Sequence, residues 1–302
     1  MTDRLPSWRP GPTRDRLITS LDGLVDVPVA ERVALFDNDG TLWAERPRYI
    51  QLDFFIAALQ ARAAADPSIV ERPEFAAVLN GDRDAMGELG IARIALALAS
   101  MFDGIEPGAF TSAVREFVDT YRHPTLERPV SGLVYEPMLE LLAELRRLDV
   151  TVGIVSGGGT EFVRAVSQEL YEVPPELVVG TLIGYEFVRD DAGRPTLHRT
   201  TSLLGAANEG ATKVGQIQSH LGRRPIIAAG NSAGDREMLE WAAASGEHGL
   251  AILIDHDDAE REFAYESRAA TFDDAEPITD VADRLGWLTV SVSRDWSQVF
   301  PD

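Results

Sequence analysis

The stretch that decides the fold is Val33-Ala-Leu-Phe36, followed at once by Asp37-Asn-Asp-Gly-Thr41. Four apolar residues ended by turn-forming residues are typical of a buried strand. Similar runs recur later, separated by segments with helical periodicity, at Val150–Val155, Ile226–Ala229, Leu250–Ile254 and Leu288–Val292. This alternation predicts the α/β class: a Rossmann-like, doubly wound, mostly parallel sheet covered by helices on both faces.

The composition narrows the classes of function. The chain has 302 residues, 45% hydrophobic and 25% charged, which is ordinary for a packed globular protein. Its formal net charge of −21 argues against nucleic acid or an anionic membrane as the main partner, because both attract a cationic face. The absence of cysteine leaves oxygen and nitrogen side chains for any catalysis. We find neither a signal-peptide pattern nor a membrane-spanning apolar run, and expect a soluble, cytoplasmic protein.

A long insertion separates the first strand from the next. Roughly 90 residues lie between Trp43 and Val130, far more than a usual connection needs. Helical patterns are predicted at Leu52–Ala65, Pro73–Leu79, Ile91–Met101 and Phe110–Tyr121. We therefore predict a helical cap of residues 45–130 inserted into an α/β core of residues 1–44 and 131–302.

Other segments of the core have simple structural interpretations. Apolar spacing predicts a helix from Glu136 to Leu148, and another from Thr160 to Leu170. The acidic run from Asp255 to Glu262 is interpreted as the solvated start of a helix, because acidic residues suit a first turn. The five histidines show no ligand spacing, and we assign none a role.

Polar clusters follow three of the predicted strands. They are Asp37–Thr41, Ser156–Gly159 and Gly230–Asp235. Because ligands of open α/β sheets bind beyond the carboxyl ends of the strands, the three clusters should meet in one crevice.

The first cluster holds a pair of carboxylates, Asp37 and Asp39, on chain that leaves a strand, where Gly40 allows a tight turn. One could attack a substrate while the other moves a proton. Two such anions repel each other, and a hard divalent cation such as Mg²⁺ would relieve that repulsion. The alternative is a polar turn that only ends the strand.

The second cluster offers the Ser156 hydroxyl and glycine backbone N–H groups, which suit an anionic oxygen such as that of phosphate. A plain strand-to-helix turn is the alternative. The pattern is not a dinucleotide fingerprint, since Phe162 stands where a third glycine is required.

The third cluster places an amide, Asn231, four residues before a carboxylate, Asp235, where a helix is expected to begin. That spacing puts both side chains on one helical face, toward a metal or its water shell. The same residues also satisfy the G-x-S-x-G elbow of serine hydrolases, with Ser232 as nucleophile. Such an elbow would leave Asp37, Asp39 and the Ser156 turn without a role.

Taken in order, these pieces resemble the four motifs of the haloacid dehalogenase (HAD) superfamily: D-x-D-G-T at Asp37–Thr41, Ser156, a lysine at Lys213, and an acidic last motif at Gly230–Asp235. The resemblance covers nearly the whole chain. It implies a Mg²⁺-dependent phosphomonoester hydrolase, a HAD-type phosphatase acting on a small phosphorylated metabolite. The helical cap is similar to that of phosphoserine phosphatase-like members.

The resemblance also implies roles. Asp37 would form an aspartyl-phosphate, Asp39 would be the general acid/base, and phosphate would be bound by Thr41, Ser156, Gly157 and Lys213. Metal ligands would come from Asp37, Asp39 through its backbone carbonyl, Asn231 and Asp235. Because the family usually has Asp where Asn231 stands, we expect weaker metal affinity than in the usual pattern, and a gain on Asn231→Asp.

Candidates for substrate specificity follow the first motif at Glu45, Arg46, Arg48 and Tyr49, with solvated linker charges as the alternative. Besides phosphatase chemistry, two functions stay open: a serine hydrolase using Ser232, and a non-catalytic phospholigand-binding protein. The oligomeric state cannot be predicted.

Overall fold

A computed structural model describes residues 4–266 and 276–302 of the chain. Its strands are β1 (Val33–Phe36), β2 (Thr151–Gly159), β3 (Val178–Thr181), β4 (Ile183–Arg189), β5 (Pro195–Leu203), β6 (Ile227–Gly230), β7 (Leu250–Asp255) and β8 (Leu288–Ser291). Its α-helices are α1 (Pro12–Gly23), α2 (Ile50–Ala65), α3 (Pro73–Asn80), α4 (Arg83–Leu89), α5 (Ile91–Ala99), α6 (Pro107–Thr120), α7 (Glu136–Arg147), α8 (Thr160–Tyr171), α9 (Ala211–Leu221), α10 (Arg236–Ala243), α11 (Ile278–Leu285) and α12 (Val292–Asp295).

The core is a six-stranded parallel sheet in the order β3-β2-β1-β6-β7-β8. The chain winds outward from β1 through β2 to β3, and then returns to the other side of β1 with β6. Such a reversal opens a crevice at the carboxyl ends of the two central strands. The predicted α/β, doubly wound, mostly parallel fold is confirmed.

Both faces of this sheet are covered. In β1, Val33 and Leu35 belong to one apolar cluster, whereas Ala34 and Phe36 belong to the other. Side chains alternate between the faces of a strand, so two buried faces require a continuous apolar run. Helices α9, α10 and α11 cover the face that carries Val33 and Leu35. Helices α1, α7 and α8 contribute to the cluster on the face that carries Ala34 and Phe36.

The predicted insertion is helical and contains α2 to α6. Its entry and exit lie side by side, since Trp43 bridges Val134 and the Ala44 N–H donates to the Leu133 carbonyl at 3.0 Å. Phe54 of α2 stands at the centre of an aromatic cluster, with ring centroids 5.3 Å from Phe102, 5.7 Å from Phe110 and 5.6 Å from Phe117. Its ring also lies 5.6 Å from Phe162 of α8, which packs the insertion against the core.

Several elements were not predicted. The strand β3 and the antiparallel hairpin of β4 and β5 lie between α8 and α9. The hairpin packs on the insertion: Arg199 exchanges backbone hydrogen bonds of 2.8 Å with Gly104 and Ile105, and its side chain donates to the Ala99 carbonyl at 3.0 Å. Because the strands of this exposed two-stranded ribbon mix apolar and polar residues, they lack the continuous apolar run of a buried strand.

The interpretation of Asp255–Glu262 as a helix start was wrong. Asp255 is the last residue of β7 and the residues after it form a loop with turns, in which His256 and Glu262 are buried with their side chains 2.9 Å apart. The run is acidic because carboxylates serve as internal acceptors: Asp257, for example, accepts from the Ser293 N–H at 2.8 Å.

Within the described ranges, no single helix has the length and apolar character to cross a membrane. The bent pair Arg83–Leu89 and Ile91–Phe102 passes that test only jointly, with a 92° bend.

Candidate active site

A buried lysine lies between two carboxylates at the carboxyl ends of the central strands. Lys213, in the first turn of α9, places its Nζ 2.6 Å from Asp37 Oδ1 and 2.6 Å from Asp235 Oδ1. The same ammonium donates to the Val155 carbonyl at 2.8 Å. Burial would lower the pKa of Lys213, but the charges of Asp235 and Asp37 outweigh it, so the net shift is upward and the side chain is cationic.

Asp37 directly follows β1 and still pairs with the sheet, since its N–H donates to the Ala229 carbonyl at 2.9 Å. Burial and the nearby charge of Asp235 raise its pKa well above the usual value, against the opposing effect of Lys213. The single positive charge of Lys213 is shared between Asp37 and Asp235. A further cation near Asp37 would therefore stabilise its ionised form.

The loop after Asp37 holds the second carboxylate. The Asn38 carbonyl accepts from the N–H groups of Thr41, Leu42 and Trp43, at 3.2, 2.8 and 3.3 Å, which closes the turn. Trp43 Nε1 donates to Asp39 Oδ1 at 2.8 Å and fixes that carboxyl. Burial raises the pKa of Asp39, partly offset by this hydrogen bond, so the group can carry a proton closer to neutral pH. The Thr41 hydroxyl lies 3.5 Å from Asp37 Oδ2.

The glycine run ends β2, which extends to Gly159 with an irregular register against β3, and α8 begins at the next residue, Thr160, with Gly159 as its N-cap. Two of the N–H groups expected to be open are already engaged: Gly158 donates to Ser156 Oγ, and Gly159 to Gln51 Oε1, both at 2.9 Å. Gly157 lies against Glu209, whose Oε1 would be 3.1 Å from a Cβ there.

The last motif forms a capping box ahead of α10. Asp235 Oδ2 accepts from the backbone N–H groups of Asn231 and Ser232, both at 3.1 Å, while Ser232 Oγ accepts from the Gly234 N–H at 3.2 Å. With its other oxygen on Lys213, Asp235 has both oxygens committed inside the protein. The Ser232 hydroxyl points to Asp235, at 3.3 Å, and not to a histidine, so the geometry of a serine nucleophile is missing here.

Oxygen donors for a hard cation come from adjacent strand ends. The Asp37 carboxylate, the Asp39 backbone carbonyl and the Asn231 amide are oxygen donors of the kind that Mg²⁺ prefers. Among the residues described, no cluster of three or more Asp, Glu, His or Cys side chains could hold a metal by itself. The chemistry of this mixed donor set fits Mg²⁺.

A sequence model of the haloacid dehalogenase-like hydrolases matches residues 34–240. The chain belongs to this family. The match spans all three clusters and Lys213, so the expectations of a HAD-superfamily protein and of an enzyme, at the level of a hydrolase, are confirmed.

Solved structures similar to this hydrolase share little of its sequence. A protein of unknown function from Bordetella pertussis Tohama I is 17% identical, with a TM-score of 0.54, over 86% of this chain and 98% of that one; this likeness shows the fold alone. A HAD family hydrolase from Salmonella enterica serovar Typhi is 16% identical, with a TM-score of 0.42, over 86% of this chain and 77% of its own. A phosphoserine phosphohydrolase-like protein from Francisella tularensis is 18% identical, with a TM-score of 0.41, over 84% and 99%. No curated protein matches.

The four residues proposed for specificity occupy different places in this hydrolase. Glu45 is buried, with its Oε1 3.3 Å from Asn231 Nδ2, and burial raises its pKa to about 7 against the charges of Arg46 and His256. The Arg46 guanidinium lies 4.3 Å above the ring of Tyr265. Arg48 is paired inside the insertion, where its Nε donates to Asp53 Oδ1 at 2.7 Å. Tyr49, directly before α2, is 40% exposed.

Three further side chains support the site and were missed. Gln51 reaches from α2 to the glycine run, and Asn208 donates to the Ser156 carbonyl at 3.0 Å. His256 contacts the Gly40 carbonyl through Nε2 at 2.7 Å. Each contact joins parts of the chain far apart in sequence, so no local spacing could reveal it.

Proposed function

We propose that this hydrolase is a Mg²⁺-dependent phosphomonoesterase that forms an aspartyl-phosphate on Asp37. The observation that carries the proposal is the Asp37–Lys213–Asp235 arrangement at the carboxyl end of the sheet, with Asp39 two residues beyond the nucleophile. A carboxylate attacks an anionic phosphate only where positive charge is already in place, and Lys213 supplies part of that charge.

In the first step, an Asp37 oxygen forms a bond to phosphorus while the bond from phosphorus to the ester oxygen breaks. The protonated Asp39 gives its proton to that departing oxygen, so an alcohol leaves. In the second step, the ionised Asp39 takes a proton from water, and the resulting oxygen attacks phosphorus. The Asp37–phosphate bond breaks, and inorganic phosphate and both original carboxyl groups are regenerated.

We assign phosphate binding to Lys213, the Thr41 hydroxyl, the Ser156 hydroxyl and the Gly157 backbone. Mg²⁺, when bound, would neutralise phosphate charge beside the nucleophile. We assign its protein ligands to Asp37, the Asp39 carbonyl and Asn231. Asp235 is assigned instead to holding Lys213 and the backbone of the last motif, because both of its oxygens are engaged there.

Asp39 supports phosphatase chemistry rather than dehalogenation, since a departing halide needs no proton whereas an alkoxide does. A small metabolite is the proposed substrate class. The cap, proposed as residues 45–130, contacts the end of β2 through Gln51, and the net charge of −21 disfavours nucleic acid.

The test is hydrolysis of p-nitrophenyl phosphate by the whole protein with Mg²⁺, with EDTA, and in the Asp37→Asn variant. We expect turnover that both treatments abolish, whereas activity surviving both would refute the proposal. Ser232→Ala is the matched control: it should keep phosphatase activity, and labelling by a fluorophosphonate should be absent from the wild type. Binding of phosphate esters without turnover would instead indicate a non-catalytic protein.

The substrate itself is sought by screening phosphorylated metabolites with Mg²⁺ present. We expect preference for small monoesters, detected as released phosphate.

A further inference from the structure

Glu45 contacts Asn231, one of the residues assigned to the metal. It lies 186 positions before Asn231 in the chain, yet Asn231 Nδ2 donates to Glu45 Oε1 at 3.3 Å, and both side chains are buried. A buried carboxylate within hydrogen-bond distance of a residue assigned to the metal invites a functional explanation.

The contact orients the Asn231 amide. An amide presents two donors on its nitrogen and an acceptor on its oxygen. Because the nitrogen faces Glu45, the oxygen faces away from that carboxylate. The reverse orientation would bring the amide oxygen against the Glu45 carboxyl group and would lose the hydrogen bond that Nδ2 donates.

Gly40 packs closely against both side chains of this contact. A Cβ on Gly40, which has φ +74°, would lie 2.0 Å from Asn231 Nδ2 and 3.0 Å from Glu45 Cδ. The Gly40 carbonyl is in turn held by His256 Nε2 at 2.7 Å, and Arg46 Nε stands 4.0 Å from Glu45 Oε1. The Glu45–Asn231 pair is therefore packed directly on the turn that carries Asp39.

We propose that Glu45 is a positioning residue that holds the Asn231 amide with its oxygen available to the metal, and that the two form a matched carboxylate–amide pair. This inference rests on the proposed function. It explains the departure at 231: an aspartate there would place two carboxylates about as close as the present 3.3 Å contact, where like charges repel. Asn231→Asp alone therefore does not improve the site, contrary to the expectation from sequence.

The test measures Mg²⁺ binding by isothermal titration calorimetry on the EDTA-stripped, dialysed whole protein without substrate. We expect Asn231→Asp to bind Mg²⁺ at least about fivefold more weakly than the wild type. The double variant Glu45→Gln with Asn231→Asp exchanges amide and carboxylate, and should return to within about threefold of the wild type. Tighter binding by Asn231→Asp, or a double variant no better than Asn231→Asp, would overturn the inference.

Two single variants provide matched controls. Glu45→Gln keeps an acceptor oxygen and should bind Mg²⁺ within about threefold of the wild type, whereas Glu45→Leu removes the acceptor and should lose at least about fivefold. Equal affinities of these two variants would contradict a positioning role. Urea unfolding checks that each variant is folded, and the double variant remains informative if Asn231→Asp is unstable.

Parallel assays with p-nitrophenyl phosphate separate the two levels of the argument. Suppose that wild-type turnover requires Mg²⁺ and Asp37, but that substitutions at positions 45 and 231 act independently. This result would overturn the proposed Glu45–Asn231 pair and leave the proposed phosphatase function intact. A wild type that neither binds Mg²⁺ nor turns over the ester overturns both.

Discussion

Replacing Lys213 by methionine tests how the crevice holds two acidic side chains together. Methionine has nearly the same length but no charge, so Asp37 and Asp235 lose the cation that stands 2.6 Å from each. At an effective dielectric constant near 20, each contact is worth about 6 kcal/mol before desolvation. Removing one partner from a buried ionic network generally lowers the free energy of unfolding by about 3–5 kcal/mol. We expect Lys213→Met to lose stability in this range at pH 7.

The loss should depend on pH in a defined direction. The pKa of Asp37 is already raised by burial and by Asp235, and it rises further without Lys213. A carboxyl whose folded pKa is raised contributes stability below its unfolded value, near 3.8, and that stability disappears as the pH rises through the folded pKa. The difference in free energy of unfolding between the wild type and Lys213→Met should therefore be small near pH 4 and grow toward pH 8.

Urea unfolding in the presence of EDTA, followed by tryptophan fluorescence at several pH values, measures this deficit. Lys213→Arg is the matched control, because it keeps the charge and should lose less. A Lys213→Met protein within about 1 kcal/mol of the wild type at pH 7, or with a deficit that does not change with pH, would refute the reasoning. The same variant should lose at least about 100-fold in turnover, as for other removed charge donors.

Three further predictions follow from individual contacts. Asp39→Asn should lower kcat/KM, which reports the first step, by about 100-fold or more for alkyl phosphates and much less for p-nitrophenyl phosphate, since nitrophenolate leaves without a proton; equal losses in kcat/KM would contradict an acid role. Gly40→Ala should lower the urea midpoint and abolish turnover, because its Cβ would lie 2.0 Å from Asn231 Nδ2; an active, equally stable variant would count against the packed turn. Glu144→Gln should cost about 1 kcal/mol at neutral pH. Hydrogen bonds from Arg147 and Arg4 lower the pKa of Glu144, so its contribution exists above about pH 4.5 and vanishes in acid; a pH-independent loss in urea titrations would exclude this cause.

The sheet was largely predictable from the sequence, because buried parallel strands require continuous apolar runs. Val33–Phe36 and Leu250–Asp255 illustrate this rule. This rule did not predict β3, because Val178–Thr181 has only four residues, one of them glycine, and follows directly after a turn with two prolines. The rule did not predict the hairpin of β4 and β5 either, because an exposed ribbon needs no apolar run.

The residues of the site that follow from strand order could be predicted from the sequence. The contacts that depend on side-chain packing could not. The ends of β1, β2 and β6 had to meet because parallel neighbours share an edge, which brought Asp37, Ser156 and Asn231 together. The supporting contacts of Gln51 and Glu45 cross from the insertion and its neck to the core. Only the folded arrangement decides which of many polar side chains makes such a contact.

The most direct test of the central claim is to trap the covalent intermediate. Asp39→Asn, whose second step should be slow, is mixed with p-nitrophenyl phosphate and Mg²⁺, quenched in acid and reduced with borohydride, which converts an aspartyl-phosphate to homoserine. Peptide mass spectrometry should find homoserine at position 37, and none in the variant that also carries Asp37→Asn. Turnover with an unmodified Asp37, or a phosphorylated Ser232, would contradict the mechanism.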